Sequence, residues 1–298
     1  MCYAYKKSSS HAILKRFADD LALLPLQPRS QKSYWACVRQ LAEHFKRSPD
    51  LLSPEDLRQY FIYLKAERRF SRQSSTQALC AIKLFWEKTL RRPWPAELEF
   101  ARATPVFKLP VILSAAEVRT IISKVPLLDH RIALTTIYSC GLRLSEALKL
   151  EVGDVDSKRM FLHIRAGKGN RDRYVPLPQR TLELLREVWR SHRHPRFLFP
   201  GKGRGGLGAP TATEPMCRTT LQGAFRQALR ASGVKKSVHI HSLRHSYATH
   251  LLEQGENLRQ LQVNLGHCSP TATVIYTHLT TLCQTQHQQR LNKFMGDL

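Results

Sequence analysis

The chain contains one stretch in which no helix can persist, because prolines recur four times between residues 93 and 110. Proline lacks a backbone N–H and clashes with the preceding helical turn, so this spacing predicts extended chain. With 298 residues, the sequence is long enough for two ordinary domains, each with its own core. We therefore expect a first domain with its linker over residues 1–105 and a second domain over residues 106–298.

The first domain has the apolar spacing of amphipathic helices, with residues such as Val38, Leu41 and Phe45 recurring every three or four positions. Ser53 followed by Pro54 is typical of a helix start, since serine caps the free N–H groups and proline suits the first helical position. The spacing predicts a bundle of four helices at residues 9–24, 29–47, 54–69 and 72–90.

The second domain opens with Ser114 and Glu117, whose spacing is that of a capping box in front of a new amphipathic helix. Farther on, apolar and polar residues alternate over Met160–Arg165 at the period of a strand. Residues 167–170 are of types that favour a turn, and Arg173–Pro176 can form the returning strand. This pattern predicts a β-hairpin. Helices are predicted around residues 182–189, 217–231, 242–254 and 258–265. The fold class is therefore mainly α with a small antiparallel β-sheet.

The charge of the chain indicates a polyanionic partner. Lysine and arginine number 47 against 23 aspartates and glutamates, which gives a formal net charge of +24, while 42% hydrophobic residues favour a folded protein. A folded basic protein most often binds nucleic acid, and an anionic membrane surface is the lesser alternative. Candidate phosphate contacts are Arg68, Arg69, Arg72, Lys83, Lys202 and Arg204, although a plain solvated charge is an equal interpretation of each.

Cysteine usage and the N-terminus favour an intracellular protein. The seven cysteines are odd in number and widely scattered, with no C-x-x-C pair, so neither a disulfide framework nor a zinc ribbon is indicated. The N-terminus lacks the apolar segment of a signal peptide, and no apolar run is long enough to span a bilayer. We expect a cytoplasmic protein that does not bind a membrane.

Several short patterns place charged side chains in the second domain. His241 and Arg244 lie three residues apart, hence on one helix face, and we expect both at the edge of an inward apolar stripe. Arg143 follows a glycine at a helix start, with Glu146 three residues farther on, and Lys168 occupies the predicted hairpin tip. Each pattern alone has an ordinary interpretation, such as a solvated ion pair or a capped helix.

Metal and nucleotide sites are disfavoured. His241 and His245 have the spacing of a zinc-binding helix, but the glutamate of an H-E-x-x-H motif is absent and no carboxylate cluster follows. Lys168 lies between two glycines without the remaining frame of a phosphate-binding P-loop. We expect neither a metal nor a cofactor.

The order of these patterns resembles that of the tyrosine recombinase (phage integrase) family. That family has an arginine in G-L-R-x-S-E, a lysine at a hairpin tip, an H-x-x-R, a histidine in L-G-H and a nucleophilic tyrosine. The corresponding residues here are Arg143, Lys168, His241, Arg244, His267 and Tyr276. The resemblance extends from about residue 110 to residue 280, and the helical first domain is similar to the family's core-binding domain in architecture.

The resemblance implies a site-specific recombinase that cleaves and rejoins DNA through a covalent 3′-phosphotyrosine. Tyr276 would be the nucleophile, His241 the base and Lys168 the general acid. The phosphate would be held by Arg143, Arg244 and His267, with Glu146 orienting Arg143 or the histidine. Because the covalent intermediate stores the bond energy, rejoining would need no ATP and no metal.

The resemblance also implies partners. They would be double-stranded DNA with paired inverted half-sites, three further copies of the chain in a tetramer on two sites, and in some systems an accessory directionality factor. Action would take place at the nucleoid. The alternatives are a type IB topoisomerase, a DNA-binding regulator without catalysis and a basic RNA-binding protein.

Overall fold

A computed structural model describes residues 2–101, 109–165, 172–203 and 208–266, together with residues 292, 295 and 296. The chain forms two compact units, Met1–Phe107 and Lys108–Leu298. Each unit has a hydrophobic core of its own. We describe each by itself and call them the N-terminal unit and the C-terminal unit.

The N-terminal unit is helical, and all four predicted helices are present. They are α1 (Cys2–Ala22), α2 (Pro28–Phe45), α3 (Pro54–Ala66) and α4 (Arg72–Leu84), with a π-helical turn at Phe85–Thr89 and 3₁₀ turns at Pro49–Leu51 and Ala96–Ala101. Helix α1 begins seven residues earlier than predicted, because no proline or glycine interrupts the chain before Pro25. Asp56 accepts from the backbone of Ser53, and Ser53 accepts from that of Asp56, which confirms the predicted cap of α3.

The core of the N-terminal unit explains the π-helical turn. Ile82, Phe85 and Trp86 are buried together with Phe17 of α1, and the rings of Phe17 and Phe85 meet edge to face at 5.2 Å. An ideal helix would rotate part of this apolar run away from the core. One wider turn keeps the run facing inward.

The C-terminal unit combines helices with a small sheet. Its helices are α5 (Ala115–Ser123), α6 (Leu128–Ser139), α7 (Leu144–Leu148), α8 (Gln179–His192), α9 (Arg218–Ala231), α10 (Ile240–Glu253) and α11 (Leu258–Leu265), and 3₁₀ turns lie at Val152–Asp154 and Ala209–Thr211. Ser114 and Glu117 form the predicted capping box of α5. The predicted fold class, mainly α with a small antiparallel sheet, is confirmed.

The sheet is antiparallel in the order β1 (Val155–Asp156), β2 (Phe161–Ile164), β3 (Arg173–Pro176). Strands β2 and β3 form the predicted hairpin, in which Leu162 pairs with Val175, whereas β1 was not predicted because two residues carry no periodicity. Leu162, Ile164 and Val175 are buried, so this face of the sheet joins the core. Within the described ranges, no helix has the length and apolar character needed to cross a membrane.

Candidate active site

Helix α10 carries the predicted H-x-x-R pair, but its two members have different environments. His241 is exposed, whereas Arg244 is 1% exposed and is among the largest fully buried side chains described. The expectation that both lie at the edge of an apolar stripe is therefore wrong for Arg244. Its burial is possible because backbone carbonyls and a carboxylate surround its guanidinium.

Two segments distant in sequence supply those carbonyls. Nη1 of Arg244 donates to the carbonyl oxygen of Gly141 at 2.8 Å, and Nη2 donates to that of Leu265 at 2.6 Å. Gly141 has φ of +61°, and a Cβ added there would lie 2.4 Å from the ring of Tyr247. Only glycine can therefore present its carbonyl to Arg244 while Tyr247 packs against it.

Arg143 lies at the start of α7, where its extended backbone precedes the first helical turn. Its Nη1 donates to Glu146 Oε1 at 2.6 Å, and its backbone N–H donates to Oε2 at 2.8 Å. Its Nη2 donates to the carbonyl of Gly266 at 3.1 Å. The side chain keeps 19% of its surface exposed.

Glu146 has a second arginine partner that the sequence analysis missed. Arg173, the first residue of β3, donates from Nη1 to Oε1 at 3.0 Å and from Nη2 to Oε2 at 2.8 Å. Nη1 of Arg244 lies 3.7 Å from the same carboxylate. A signal for Arg173 was present in the sequence, because in a strand it shares the inward face with Val175, where arginine is unusual.

The C-terminal end of α11 joins the three arginines into one cluster. The carbonyls of Asn264, Leu265 and Gly266 accept from Arg173, Arg244 and Arg143 respectively. These carbonyls have no partners within the helix and carry its negative dipole end, so cations are favourable there. We call the three arginines with Glu146 the arginine cluster.

The carboxylate within this cluster stays ionised. Burial alone would raise the pKa of Glu146, but hydrogen bonds and charge from Arg173, followed by those of Arg143, overcome that effect and lower the pKa to about 2. Three guanidinium groups then face one carboxylate. The cluster retains an excess of positive charge, which suits it to bind an anion.

His241 is neutral at physiological pH. Although the residue is exposed to solvent, the protein packed around its ring contributes most to lowering its pKa, and Arg244, His239 and Arg143 add repulsion, so that the pKa falls to about 4. The carboxylate of Glu146 opposes this shift only in part. A neutral imidazole beside these arginine side chains can accept a proton.

The structure thus brings together Arg143, Glu146 and Arg244 by contact, with His241 electrostatically coupled to all three. Lys168, His267 and Tyr276 lie outside the described residues. Their neighbours in sequence are described: β2 and β3 flank the segment that contains Lys168, and Gly266 directly precedes His267.

Nothing in the described part of the chain groups three or more histidine, cysteine, aspartate or glutamate side chains so that they could hold a metal ion. His241 and His245 meet edge to face with ring centroids 4.6 Å apart. The cation-rich cluster beside them is a poor environment for a further cation.

Comparison with known proteins identifies the family. The model of the phage integrase family matches residues 112–282, and that of the phage integrase N-terminal SAM-like domain matches residues 13–96. The chain belongs to the phage integrase family. The family match includes all residues of the arginine cluster as well as Lys168, His267 and Tyr276.

Two relatives resemble this phage integrase family member over nearly its whole length. A putative integrase/recombinase of Sinorhizobium fredii, y4qK, is 39% identical over 91% of this chain and 86% of the relative. The tyrosine recombinase XerD of Yersinia pestis is 32% identical over 95% of this chain and 98% of the relative. With such relatives, the activity of the chain is that of a site-specific tyrosine recombinase.

Among solved structures, a lambda integrase tetramer bound to a Holliday junction is similar in fold. It matches with a TM-score of 0.71 over 89% of this chain and 76% of the other, at 16% sequence identity. This likeness independently supports the mainly helical fold class.

Proposed function

We propose that the recombinase cleaves and rejoins DNA through a covalent 3′-phosphotyrosine on Tyr276. The observation that carries the proposal is the arginine cluster at the C-terminal end of α11. Its cations bind the carbonyls of Leu265 and Gly266, and Gly266 directly precedes His267 and lies ten residues before Tyr276. Charge that develops on a phosphodiester during in-line attack needs fixed donors of this kind.

The arginines have separable parts in this proposal. Arg143 uses one N–H of each terminal nitrogen within the cluster, and its side chain is 19% exposed, so its remaining N–H groups can donate to two phosphate oxygens. Arg244 is held by two carbonyls, and from its buried position it adds positive charge to the site. His267 supplies a further hydrogen bond to a non-bridging oxygen.

Proton transfers complete the reaction. The hydroxyl of Tyr276 gives its proton to His241 as its oxygen bonds to phosphorus, because a free tyrosine has a pKa near 10 and needs a base. The bond from phosphorus to the 5′-oxygen then breaks, and Lys168 gives a proton to the leaving hydroxyl. Rejoining reverses these steps, so the bond energy is retained without ATP.

We further propose that residues 1–105 form the core-binding domain. In this unit a polar groove of about 970 Å³ lies between α2 and α4 and is lined by Arg29, Arg72, Gln73 and Gln77, among others. Cations attract phosphates, and amide side chains can read base edges in a groove of DNA. Arg72 and Lys202 were both candidate phosphate contacts, and Lys202 forms an ion pair with Asp129 at 3.0 Å.

Assembly follows from the same proposal. The partner is double-stranded DNA with two inverted half-sites, on which a homotetramer joins two sites, as the lambda integrase forms a tetramer on a Holliday junction. Inverted half-sites match the twofold relation of two protomers. An accessory directionality factor and action at the nucleoid complete the proposal.

A nicked trapping substrate tests the proposed chemistry. The wild-type chain should form a covalent adduct on a half-site whose cleaved end diffuses away. Tyr276→Phe should bind the same DNA with unchanged affinity and form no adduct, because only the attacking oxygen is removed. The matched control Tyr174→Phe, at a 60% exposed residue of β3, should behave as wild type. An adduct persisting in Tyr276→Phe would refute the assignment.

A further inference from the structure

Arg173 has a place in the fold that is unusual for a charged residue. It begins β3 directly after the segment that contains Lys168, and it pairs with Ile164 across the hairpin. Its side chain lies on the inward face of the sheet with only 8% of its surface exposed. A buried arginine is retained only where partners satisfy its donors.

The partners of Arg173 are parts of the candidate active site. Both terminal nitrogens donate to the two oxygens of Glu146, at 3.0 and 2.8 Å, which is the forked geometry that only arginine provides. Nε donates to the carbonyl of Asn264 at 2.9 Å. Its side chain also packs so closely on Gly266, which has φ of +62°, that a Cβ there would lie 2.9 Å from Cδ.

This geometry determines how Arg143 can pair with Glu146. A lone arginine beside a carboxylate forms a two-bond fork, which would bring both terminal nitrogens of Arg143 onto Glu146. With Arg173 in place, Arg143 makes a single bond to Oε1 from Nη1, and its Nη2 is directed to Gly266 instead. The guanidinium of Arg143 is thereby paired with Glu146 through one bond instead of a fork.

We infer that Arg173 is a positioning residue, which binds Glu146 so that Arg143 stays oriented toward the scissile phosphate instead of closing onto the carboxylate. The inference rests on the proposed contact between Arg143 and phosphate. Arg173 does not itself touch the reacting atoms. Arg173 also connects the hairpin that carries Lys168 to the end of α11 that precedes His267. The hairpin, α11 and Glu146 of α7 are therefore all joined through this one side chain.

The low pKa of Glu146 agrees with this role. After the opposing effect of burial, Arg173 has the largest influence, which keeps the carboxylate ionised. An ionised carboxylate that loses Arg173 would be a strong competitor for Arg143. The consequence is specific: removing the charge of Glu146 should harm the wild-type chain but help a chain that lacks Arg173.

The test measures single-turnover cleavage of the nicked trapping substrate, with DNA affinity determined separately. Arg173→Met should slow cleavage on the order of 100-fold, the size of effect expected from misplacement by about 1 Å, while the DNA dissociation constant stays within about threefold. Adding Glu146→Gln to Arg173→Met should restore the rate at least about tenfold. Arg173→Lys, which keeps the charge without the fork, should lie between wild type and Arg173→Met.

The matched control is Arg196→Met, since Arg196 forms an equally short pair with Glu151, at 2.7 Å, with no contact to Glu146. It should cleave at the wild-type rate. If Arg173→Met fails to fold, the same comparison is made with Arg173→Lys, where Glu146→Gln should again raise the rate. A defect that Glu146→Gln deepens in the Arg173 variants, or a wild-type rate for Arg173→Met, overturns the inference.

Arg143→Met separates this inference from the proposed function. It should form no measurable adduct. If it cleaves at the wild-type rate, the phosphate contact of Arg143 is wrong, and the proposed function must change first. If it is inactive while the effects of the Arg173 and Glu146 substitutions simply multiply, only the role of Arg173 is refuted.

Discussion

The two units differ in whether charged side chains are buried. In the N-terminal unit, each described ion pair lies at the surface, as Arg58 does with Glu55, whose side chains are 53% and 57% exposed. In the C-terminal unit, Arg173, Arg244 and Glu146 are almost fully buried around the end of one helix. Surface pairs contribute little to stability, whereas a buried cluster fails when one member is removed. The C-terminal unit has surface pairs as well, such as Arg180 with Glu183, so the buried cluster is what distinguishes it from the N-terminal unit.

Residues with positive φ occur in both units, but in different surroundings. In the N-terminal unit, Lys46, Arg69 and Arg91 take the left-handed conformation with side chains that tolerate it. In the C-terminal unit, Met160 and Arg193 take it as well, whereas Gly141 and Gly266 take it where a side chain would collide with Tyr247 or Arg173. Strain is accepted where space is free, and glycine is required where arginines must reach backbone carbonyls.

The largest expected effect comes from breaking the buried cluster. Arg244→Met should lower the free energy of unfolding of the C-terminal unit by about 4 kcal/mol, because two carbonyls and a carboxylate lose their donor. Arg58→Met should change that of the N-terminal unit by only about 0.3 kcal/mol. Hydrogen exchange of the full chain, measured separately for peptides of each unit, gives both values. Similar values for the two variants would remove the distinction between the units.

Acid should sharpen the comparison. The pKa of Glu146 is about 2 in the folded chain and about 4.5 unfolded, so its stabilisation, about 3 kcal/mol, is present above pH 4.5 and is lost as the pH falls toward 2. Glu146→Gln should therefore be less stable than wild type at pH 6, and the difference should shrink in acid. Calorimetry of the full chain from pH 6 to pH 2.5 measures this, and a constant difference would contradict the account.

A smaller effect is expected at the glycine that serves Arg244. Gly141→Ala should destabilise the C-terminal unit by about 2 kcal/mol, because the left-handed backbone is strained and the added Cβ meets Tyr247. The control Gly233→Ala has the same sign of φ, at +72°, but no atom within 4 Å of the added Cβ, so about 1 kcal/mol is expected. Hydrogen exchange measures the free energy of unfolding of both variants. Equal losses of stability would show that the contact with Tyr247 does not contribute.

The local features of the fold followed from the sequence. The caps at Ser53 and Ser114 and the hairpin of β2 and β3 depend on residues a few positions apart, and the structure confirms them. The predicted start of α1 was too late, because the sequence there contains no helix breaker that would mark a boundary. The short strand β1 left no period to detect.

The arrangement of the arginine cluster did not follow from the sequence. Arg244 is buried only because Gly141, Glu146 and Leu265, from separate segments, meet around it, and no local spacing encodes that meeting. Arg173 was overlooked because the alternation of a strand shows which side chains face inward but not which partners they meet there. The roles of Lys168, His267 and Tyr276 stay predictions that rest on the family resemblance.

The most direct test of the account is to identify the amino acid that becomes linked to DNA. The wild-type adduct on the trapping substrate would be digested with protease and nuclease, and the modified peptide sequenced by mass spectrometry. The account predicts a phosphotyrosyl group on Tyr276 alone. A nucleotide attached to another tyrosine, such as Tyr247, or to a serine would contradict it.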